Sequence, residues 1–218
     1  TIGCICIFHC SSSIVSLWPE ANMMSQEHDT AHWKFCTWSS FFTKEQCKEI
    51  SDFIDDNYSL SGPGEFSAKT SNGESLKQIS NVKNIQYGKI KHLISALVDS
   101  AFYHAQNKFG YLTNGPFNVE QLNFNTYDSN TKDQYLWHID ESPNSQEDIK
   151  LTLLMNLSTE NYEGGEFQTY IYDEQNHEEF NQPGGVIMFK SHIHHRVLPV
   201  TKGIRKSLTM FITGPRFR

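Results

Sequence analysis

Apolar residues recur at helical spacing in two segments of the first half of the chain. In the first segment, Thr43 and Gln46 form the pattern of a capping box, and an apolar stripe follows that ends near Asn57. In the second segment, 86–108, one broad face is apolar, and Gly110 follows as a stop signal. Both stripes predict amphipathic helices that need a sheet or another helix to cover them.

From about residue 120 the pattern changes to short segments rich in β-branched and aromatic residues, separated by turn residues. The segments are EQLNFNTY, YLWHID, KLTLLMNLS, GEFQTYIY, GVIMF, HRVLPV and RKSLTMFIT. No helical crossover pattern lies between them, which disfavours a parallel α/β sheet. We therefore predict a mainly β fold, either an all-β sandwich or a barrel-like jelly roll, with a double-layered core and the helices of the first half packed outside it.

These elements predict one domain over residues 30–218. Within the chain, residues 1–28 read as a poorly structured N-terminal extension, residues 29–115 as a helical support region and residues 116–218 as the β core. The polar stretch 57–84 is rich in Gly, Ser and Asn and predicts a long loop. Such a loop is either a lid over a pocket or a disordered surface segment.

Composition and charge narrow the class of protein. The chain has 218 residues and a formal net charge of -7, which disfavours binding to nucleic-acid phosphates. It has no apolar run of about eighteen residues, so we expect no membrane span. All five cysteines lie at or before Cys47, which makes a poor disulfide framework. We therefore expect a soluble protein of the reducing cytoplasm. Its oligomeric state is not predicted.

The first residues carry a separate expectation. The apolar run that follows Thr1 lacks the charged start and the small-residue cleavage site of a secretory signal. We therefore expect the residues before about Met23 to be an upstream extension or a fragment boundary.

Candidate chemistry begins with the segment YLWHIDES, which places His138 and Asp140 two positions apart. Alternate residues of a strand share a face, so both side chains would point to one place while Ile139 points to the other side. An imidazole and a carboxylate arranged in this way either supply two metal ligands or form a solvated polar face. Because a motif this short is not specific, a third ligand must come from elsewhere.

The segment SHIHHRVLPVTKGIRKSLT contains three histidines that could complete a metal site: His192, His194 and His195. Two His and one carboxylate form the facial arrangement of non-haem Fe(II) oxygenases. Arg205 follows, with Ser207 and Thr209 on the same face of a strand. A guanidinium and two hydroxyls that point into a pocket would receive a carboxylate. The alternative is an outward-facing arginine in a surface ion pair.

Together, these motifs resemble the Fe(II)- and 2-oxoglutarate-dependent dioxygenases. Within them, the chain is similar to the prolyl 4-hydroxylase branch and its PKHD-type bacterial and phage relatives. The supporting segments are NTYDSNTKDQYLWHIDES, YEGGEF, QPGGVIMF, HRVLPVTKGIRKSL and NVKN at 81–84. The resemblance covers residues 80–215 and extends more weakly over 30–80.

The resemblance implies a double-stranded β-helix core, also called a jelly roll, that is cupin-like. In it, His138, Asp140 and His195 would hold Fe(II), and Arg205 would bind the distal carboxylate of 2-oxoglutarate. The family pattern H-x-V before a PVxxGxR turn matches His195, and His194 is the second choice. Tyr127 matches a tyrosine that contacts the cosubstrate.

Tyr127 shares a strand face with three polar residues: Gln121, Asn123 and Asn125. The opposite face carries Leu122, Phe124 and Thr126. A polar interior face is what a ligand pocket requires, whereas an edge strand with a wet face is the alternative. We therefore include Asn125, Ser207 and Thr209 with Tyr127 as candidate cosubstrate-binding residues.

The implied reaction is hydroxylation of a C–H bond by O2, coupled to decarboxylation of 2-oxoglutarate to succinate and CO2. The implied substrate is a prolyl residue of a peptide or protein, and ascorbate is a candidate reductant. Tyr135 and Trp137 flank the His138 motif and suggest an aromatic groove for an extended peptide. Two alternatives stay open: a hydroxylase of a free amino acid or small molecule, and a cupin-like metal-binding domain without oxygenase activity. Arg205 argues against the second, because a dedicated carboxylate receptor is what a 2-oxoglutarate enzyme needs.

Overall fold

The structure is a computed structural model that describes residues 33–59, 73, 77–78, 81–115, 121–141 and 146–217. The predicted N-terminal extension, with three of the cysteines, lies outside the described residues. Much of the predicted loop 57–84 also lies outside them.

The described residues form two α-helices and a set of antiparallel strands. Helix α1 spans Lys44–Asn57 and helix α2 spans Tyr87–Asn107, and a 3-10 helix spans Glu178–Asn181. The strands, in chain order, are β1 (Phe35–Trp38), β2 (Lys77–Gln78), β3 (Asn81–Gln86), β4 (Gln121–Asp128), β5 (Gln134–His138), β6 (Glu147–Asn156), β7 (Glu163–Gly164), β8 (Phe167–Tyr170), β9 (Glu174–Asn176), β10 (Val186–Lys190), β11 (His194–Val197), β12 (Val200–Lys202) and β13 (Ile204–Pro215).

Both helices lie where the sequence predicts them. At the start of α1, Thr43 N donates to Gln46 Oε1 at 2.9 Å, and Gln46 N donates to Thr43 Oγ1 at 3.3 Å. This reciprocal pair satisfies backbone donors that the first helical turn leaves without intrahelical partners. The apolar face of α2 is buried, including Ile90 and Ile94, which are fully inaccessible.

Two sheets form the core. The larger sheet has six strands in the order β1-β10-β6-β13-β4-β3, and the smaller has five in the order β2-β5-β11-β8-β9. A short pair, β12 and β7, completes the described strands. The jelly-roll prediction is confirmed. No described helix is long and apolar enough to span a bilayer.

The larger sheet separates two apolar clusters. Along β10, Val186 and Met188 belong to the cluster shared with both helices, whereas Ile187 and Phe189 belong to the cluster shared with the smaller sheet. This alternation follows from the strand period of two. The helices therefore cover one face of the larger sheet, and the other face lies against the smaller sheet, where the polar pocket is located.

Strand β2 and the first four residues of β3 lie in the segment 57–84, so the prediction of a loop is wrong for those residues. Strand β2 pairs with β5, and β3 pairs with β4 from Asn81 to Gln86. The sequence NVKNIQ does not read as a core strand because Lys83 interrupts its apolar pattern. Lys83 is nevertheless buried, since its Nζ lies 2.6 Å from Asp55 Oδ1 on α1.

Candidate active site

Three candidate metal ligands from two strands of the smaller sheet converge on one point. His138 ends β5, Asp140 follows two residues later, and His195 on β11 is the cross-strand partner of His138. One ligand atom from each residue lies within 4.8 Å of those of the other two. Asp140 Oδ1 is 3.7 Å from His138 Nε2, and Asp140 Oδ2 is 3.4 Å from His195 Nε2.

Backbone carbonyls orient both imidazoles. Nδ1 of His138 lies 2.7 Å from Leu136 O, and Nδ1 of His195 lies 2.9 Å from Ile193 O. A carbonyl only accepts, so each Nδ1 carries the proton and each Nε2 keeps its lone pair. The two lone pairs are thereby available on the side of Asp140, as a metal site requires.

Burial keeps His195 neutral. Its side chain is inside the pocket, and loss of solvation lowers the pKa of His195 to about 4. A neutral imidazole is the form that binds a metal ion. His192 and His194, the other two histidines of the segment, are exposed, so the geometry selects His195.

Strands β4 and β13 form the polar wall opposite these ligands. Their register pairs Arg205 with Tyr127, Ser207 with Asn125, and Thr209 with Asn123. All six side chains line one pocket because paired residues of adjacent strands share a face. Leu122 and Phe124 point instead into the cluster shared with the helices. Asn123, Asn125 and Tyr127 therefore lie on the pocket face of β4 and Leu122 and Phe124 on the opposite face, as predicted for these residues.

Arg205 is a buried cation with unused hydrogen-bond donors. Its side chain is 1% exposed, and Nη1 donates to Ser207 Oγ at 3.4 Å. Nε and Nη2 have no hydrogen-bond partner among the described residues. Burying such donors unpaired is costly, so this end of the pocket fits an anionic group with two acceptor oxygens.

Tyr127 supplies a further polar group beside the guanidinium. The centre of its ring lies 5.0 Å from Arg205 Cζ. Burial raises the pKa of Tyr127 to about 12, so its hydroxyl stays protonated at neutral pH. It can therefore donate to an anion held by Arg205.

The metal-ligand cluster and Arg205 open onto the same pocket. Its lining comprises Asn123, Asn125, Tyr127, Tyr135, His138, Asp140, Thr152, Leu154, Phe167, His195, Val197, Arg205, Ser207, Thr209 and Phe211. All the candidate metal ligands and cosubstrate-binding residues are present in this set, whereas Trp137, expected in an aromatic groove, is not. A small dianionic ligand could thus contact the cluster at one end and the guanidinium at the other.

Two pocket residues contact the candidate metal ligands in ways that the sequence did not predict. Thr152 hydrogen bonds to Asp140, and the ring of Tyr135 stacks on His138 with centroids 3.4 Å apart and planes 11° from parallel. The alternation of KLTLLMNLS could have placed Thr152 on the inner face with Leu154. No sequence pattern, however, indicates that its partner would be Asp140.

Comparison with known proteins agrees with this geometry. Residues 122–213 match the family model of the 2OG-Fe(II) oxygenase superfamily. No curated protein matches the sequence. A viral collagen prolyl hydroxylase from Paramecium bursaria Chlorella virus-1, solved as its 2OG complex, is 15% identical with a TM-score of 0.63, over 85% of this chain and 99% of that one.

Two further solved structures share the fold. A Pseudomonas putida prolyl-4-hydroxylase is 16% identical with a TM-score of 0.59, over 87% of this chain and 96% of that one. A Trichoplax adhaerens prolyl hydroxylase, in complex with a hypoxia inducible factor oxygen degradation domain peptide fragment, is 18% identical with a TM-score of 0.58, over 82% and 83%. At these identities the likeness establishes the double-stranded β-helix fold.

Proposed function

We propose that this chain is a 2OG-Fe(II) dioxygenase, the family whose model residues 122–213 match, and that it hydroxylates a prolyl residue of a peptide or protein. The unsatisfied donors of buried Arg205, in one pocket with His138, Asp140 and His195, are the observation that carries the proposal. When bound, Fe(II) and 2-oxoglutarate supply the oxidising chemistry, in which O2 hydroxylates a C–H bond while 2-oxoglutarate is decarboxylated to succinate and CO2.

His138, Asp140 and His195 would hold the iron. Two neutral nitrogens and one carboxylate oxygen suit Fe(II), and three ligands on one side leave positions for other molecules. The carbonyls of Leu136 and Ile193 keep both imidazoles in the required tautomer. Their protonation would prevent binding, so metal affinity is expected to fall at acidic pH.

Arg205 would bind the distal carboxylate of 2-oxoglutarate through Nε and Nη2. The Tyr127 hydroxyl is a neighbouring donor, and Ser207 holds Nη1 of the arginine. Asn125 donates to Thr209 Oγ1 at 3.0 Å, which fixes the amide on the same wall. Because these groups are held before the ligand arrives, they would orient it at a low entropic cost.

Apolar side chains restrict water at the reaction centre. Leu154, Phe167 and Val197 line the pocket and are almost completely buried. Tyr135 covers one face of His138. Exclusion of water strengthens the electrostatic contacts inside the pocket and limits side reactions of an oxidising centre.

A prolyl substrate suits the aromatic surroundings of the His138 motif. Tyr135 lines the pocket beside the metal ligands, and Trp137 lies on the opposite face of the same strand, with Arg196 Cζ 4.5 Å from its ring centre. Aromatic surfaces bind apolar rings such as pyrrolidine, which supports the prolyl assignment over a charged target. We place the activity in the reducing cytoplasm, since the five cysteines of the sequence make a poor disulfide framework.

The proposal is tested by adding Fe(II) and 2-oxoglutarate without oxygen, followed by oxygen and a proline-rich peptide. We expect a visible metal-to-ligand charge-transfer band, then succinate and a hydroxylated peptide. His138→Ala should lose both signals, whereas His194→Ala, which changes an exposed histidine, should keep them. Metal binding without the band would indicate a cupin-like domain. The band with hydroxylation of free proline alone would favour the small-molecule alternative.

A further inference from the structure

The aliphatic stem of Arg205 lies against the bare backbone of Gly165. A Cβ atom added at Gly165 would lie 2.9 Å from Arg205 Cδ and 2.9 Å from Val200 Cγ2. Carbon atoms that are not bonded do not approach so closely, since their optimal separation is about 3.5–4.0 Å. Only glycine therefore allows the arginine stem to occupy its present position.

The turn that carries Gly165 has no room to move back. Gly165 N donates to Pro199 O at 3.1 Å, and a Cβ at Gly164 would already be 2.3 Å from the same oxygen. Val200 is fully buried. A methyl group at position 165 would therefore displace the Arg205 side chain more readily than the turn.

A second group supports the guanidinium from behind. The ring centre of Phe180 lies 5.5 Å from Arg205 Cζ, on a fully buried side chain that also packs against Phe167. Of the residues around Arg205, Tyr127 lines the pocket, whereas Phe180, Gly165 and Val200 do not. The arginine thus has packed protein on one side and the ligand pocket on the other. The packed residues therefore determine how far the guanidinium projects into the pocket.

We propose that Gly165 and Phe180 are positioning residues. They determine how far the Arg205 guanidinium projects into the pocket and so select the cosubstrate by its length. The selected ligand is a five-carbon 2-oxo dicarboxylate rather than its four-carbon or six-carbon homologue. This inference rests on the proposed function, in which the metal site holds one end of the ligand and Arg205 the other. One extra or missing methylene changes the affinity of a fitted pocket by about 10-fold to 200-fold, which is enough for such a choice.

Added volume at Gly165 should favour a shorter dicarboxylate, and removed volume at Phe180 should favour a longer one. Gly165→Ala pushes the guanidinium into the pocket and shortens it, so the ratio of the Kd for oxaloacetate to that for 2-oxoglutarate should fall by about 10-fold. Phe180→Leu frees space behind the guanidinium, and the ratio of the Kd for 2-oxoadipate to that for 2-oxoglutarate should fall by a similar factor.

The test measures, by calorimetry, the Kd of each of the three dicarboxylates for the full chain loaded with Mn(II). Gly115→Ala is the matched control for backbone strain. Gly165 and Gly115 both have a positive φ, 68° and 77°, but a Cβ at Gly115 would have no neighbour within 4 Å among the described residues. This control should leave all ratios unchanged. Phe180→Leu introduces no positive-φ strain. If Gly165→Ala does not fold, the Kd ratios of Phe180→Leu alone test whether packing behind Arg205 determines the preferred ligand length.

The outcomes separate this inference from the proposed function. A wild-type chain that binds Mn(II) but none of the dicarboxylates would refute the cosubstrate assignment itself. A wild-type chain that prefers 2-oxoglutarate, with unchanged ratios in the folded variants, would overturn the depth-setting role and leave the assignment intact.

Discussion

The hydroxyl of Thr152 donates a hydrogen bond to Oδ2 of Asp140 over 2.6 Å. Thr152 lies on β6 of the larger sheet and is 1% exposed, whereas Asp140 follows β5 of the smaller sheet. The bond therefore links the two layers at the metal-ligand cluster. It holds one carboxylate oxygen, and Asp140 N donates to Ser191 O at 3.0 Å, which fixes the backbone as well.

Removal of this hydroxyl should weaken metal binding. Thr152→Val keeps the shape of the side chain but removes the hydroxyl that holds Oδ2 of Asp140. Loss of such a partner to a metal ligand typically costs about 10-fold to 100-fold in affinity. We expect an increase of about that size in the Kd for Mn(II), measured by titration with electron paramagnetic resonance detection. Thr152→Ser retains a hydroxyl and is the matched control. Equal affinities for the Val variant and the wild type would contradict this role.

Replacement of Arg205 should abolish the binding of 2-oxoglutarate without lowering the stability of the ligand-free chain. Arg205→Met removes a buried cation whose Nε and Nη2 are unpaired, and well-packed apolar replacements of buried charges are often neutral or stabilising by about 1–4 kcal/mol. We expect the ligand-free variant to unfold at the same or higher denaturant concentration than the wild type. Added 2-oxoglutarate with Mn(II) should stabilise the wild type beyond Mn(II) alone, but not the variant. A strongly destabilised Arg205→Met chain would show that the guanidinium has a structural partner.

His177 should make the ligand-free fold sensitive to acid. It is 3% exposed, its Nε2 lies 2.9 Å from Thr169 Oγ1, and burial lowers the pKa of His177 to about 4. The unfolded chain titrates near 6.5, so between pH 6.5 and 4 it binds more protons than the folded chain. Stability is therefore fully present above pH 6.5 and is lost as the pH falls through this window.

Urea unfolding at several pH values between 7 and 4.5 measures this loss. His177→Gln keeps a polar partner for Thr169 without a titrating imidazole, so its stability should fall less steeply with acid than that of the wild type. His195 has a similarly lowered pKa and contributes to both proteins equally. Parallel pH profiles for the two proteins would rule out His177 as a source of the acid sensitivity.

The features that the sequence revealed depend on local spacing. The capping box at Thr43 places the start of α1, and the two-residue separation of His138 and Asp140 places both on one face. The family pattern H-x-V selects His195 over His194, which the structure leaves exposed. In each case the relevant neighbours lie within a few positions along the chain, where helix and strand periods fix their relative directions.

The features that the sequence concealed depend on contacts between distant segments. Strand β3 reads as a loop because Lys83 is polar, and its burial makes sense only with Asp55 of α1 beside it. Gly165 reads as an ordinary turn residue, and its close approach to Arg205 arises from strand packing. Such pairings are set by tertiary structure, which the residue pattern of a single segment does not contain.

The ion pairs of Asp55 give the last prediction. Asp55 lies 2.6 Å from Lys83 Nζ and 2.8 Å from Lys206 Nζ, and the Lys83 side chain is 6% exposed. Both ammonium groups favour the ionised carboxylate, and the pKa of Asp55 is lowered in spite of the opposing effect of burial. Asp55→Asn would leave the buried Lys83 without its counterion, which should cost about 3 kcal/mol of unfolding free energy. Asp52→Asn, which breaks an exposed pair with Lys48 on the same helix, should cause no measurable change in urea unfolding. If both variants unfold at the wild-type midpoint, the Lys83 pair makes no net contribution, and β3 is held to the sheet by its backbone pairing and by Val82 and Ile85 alone.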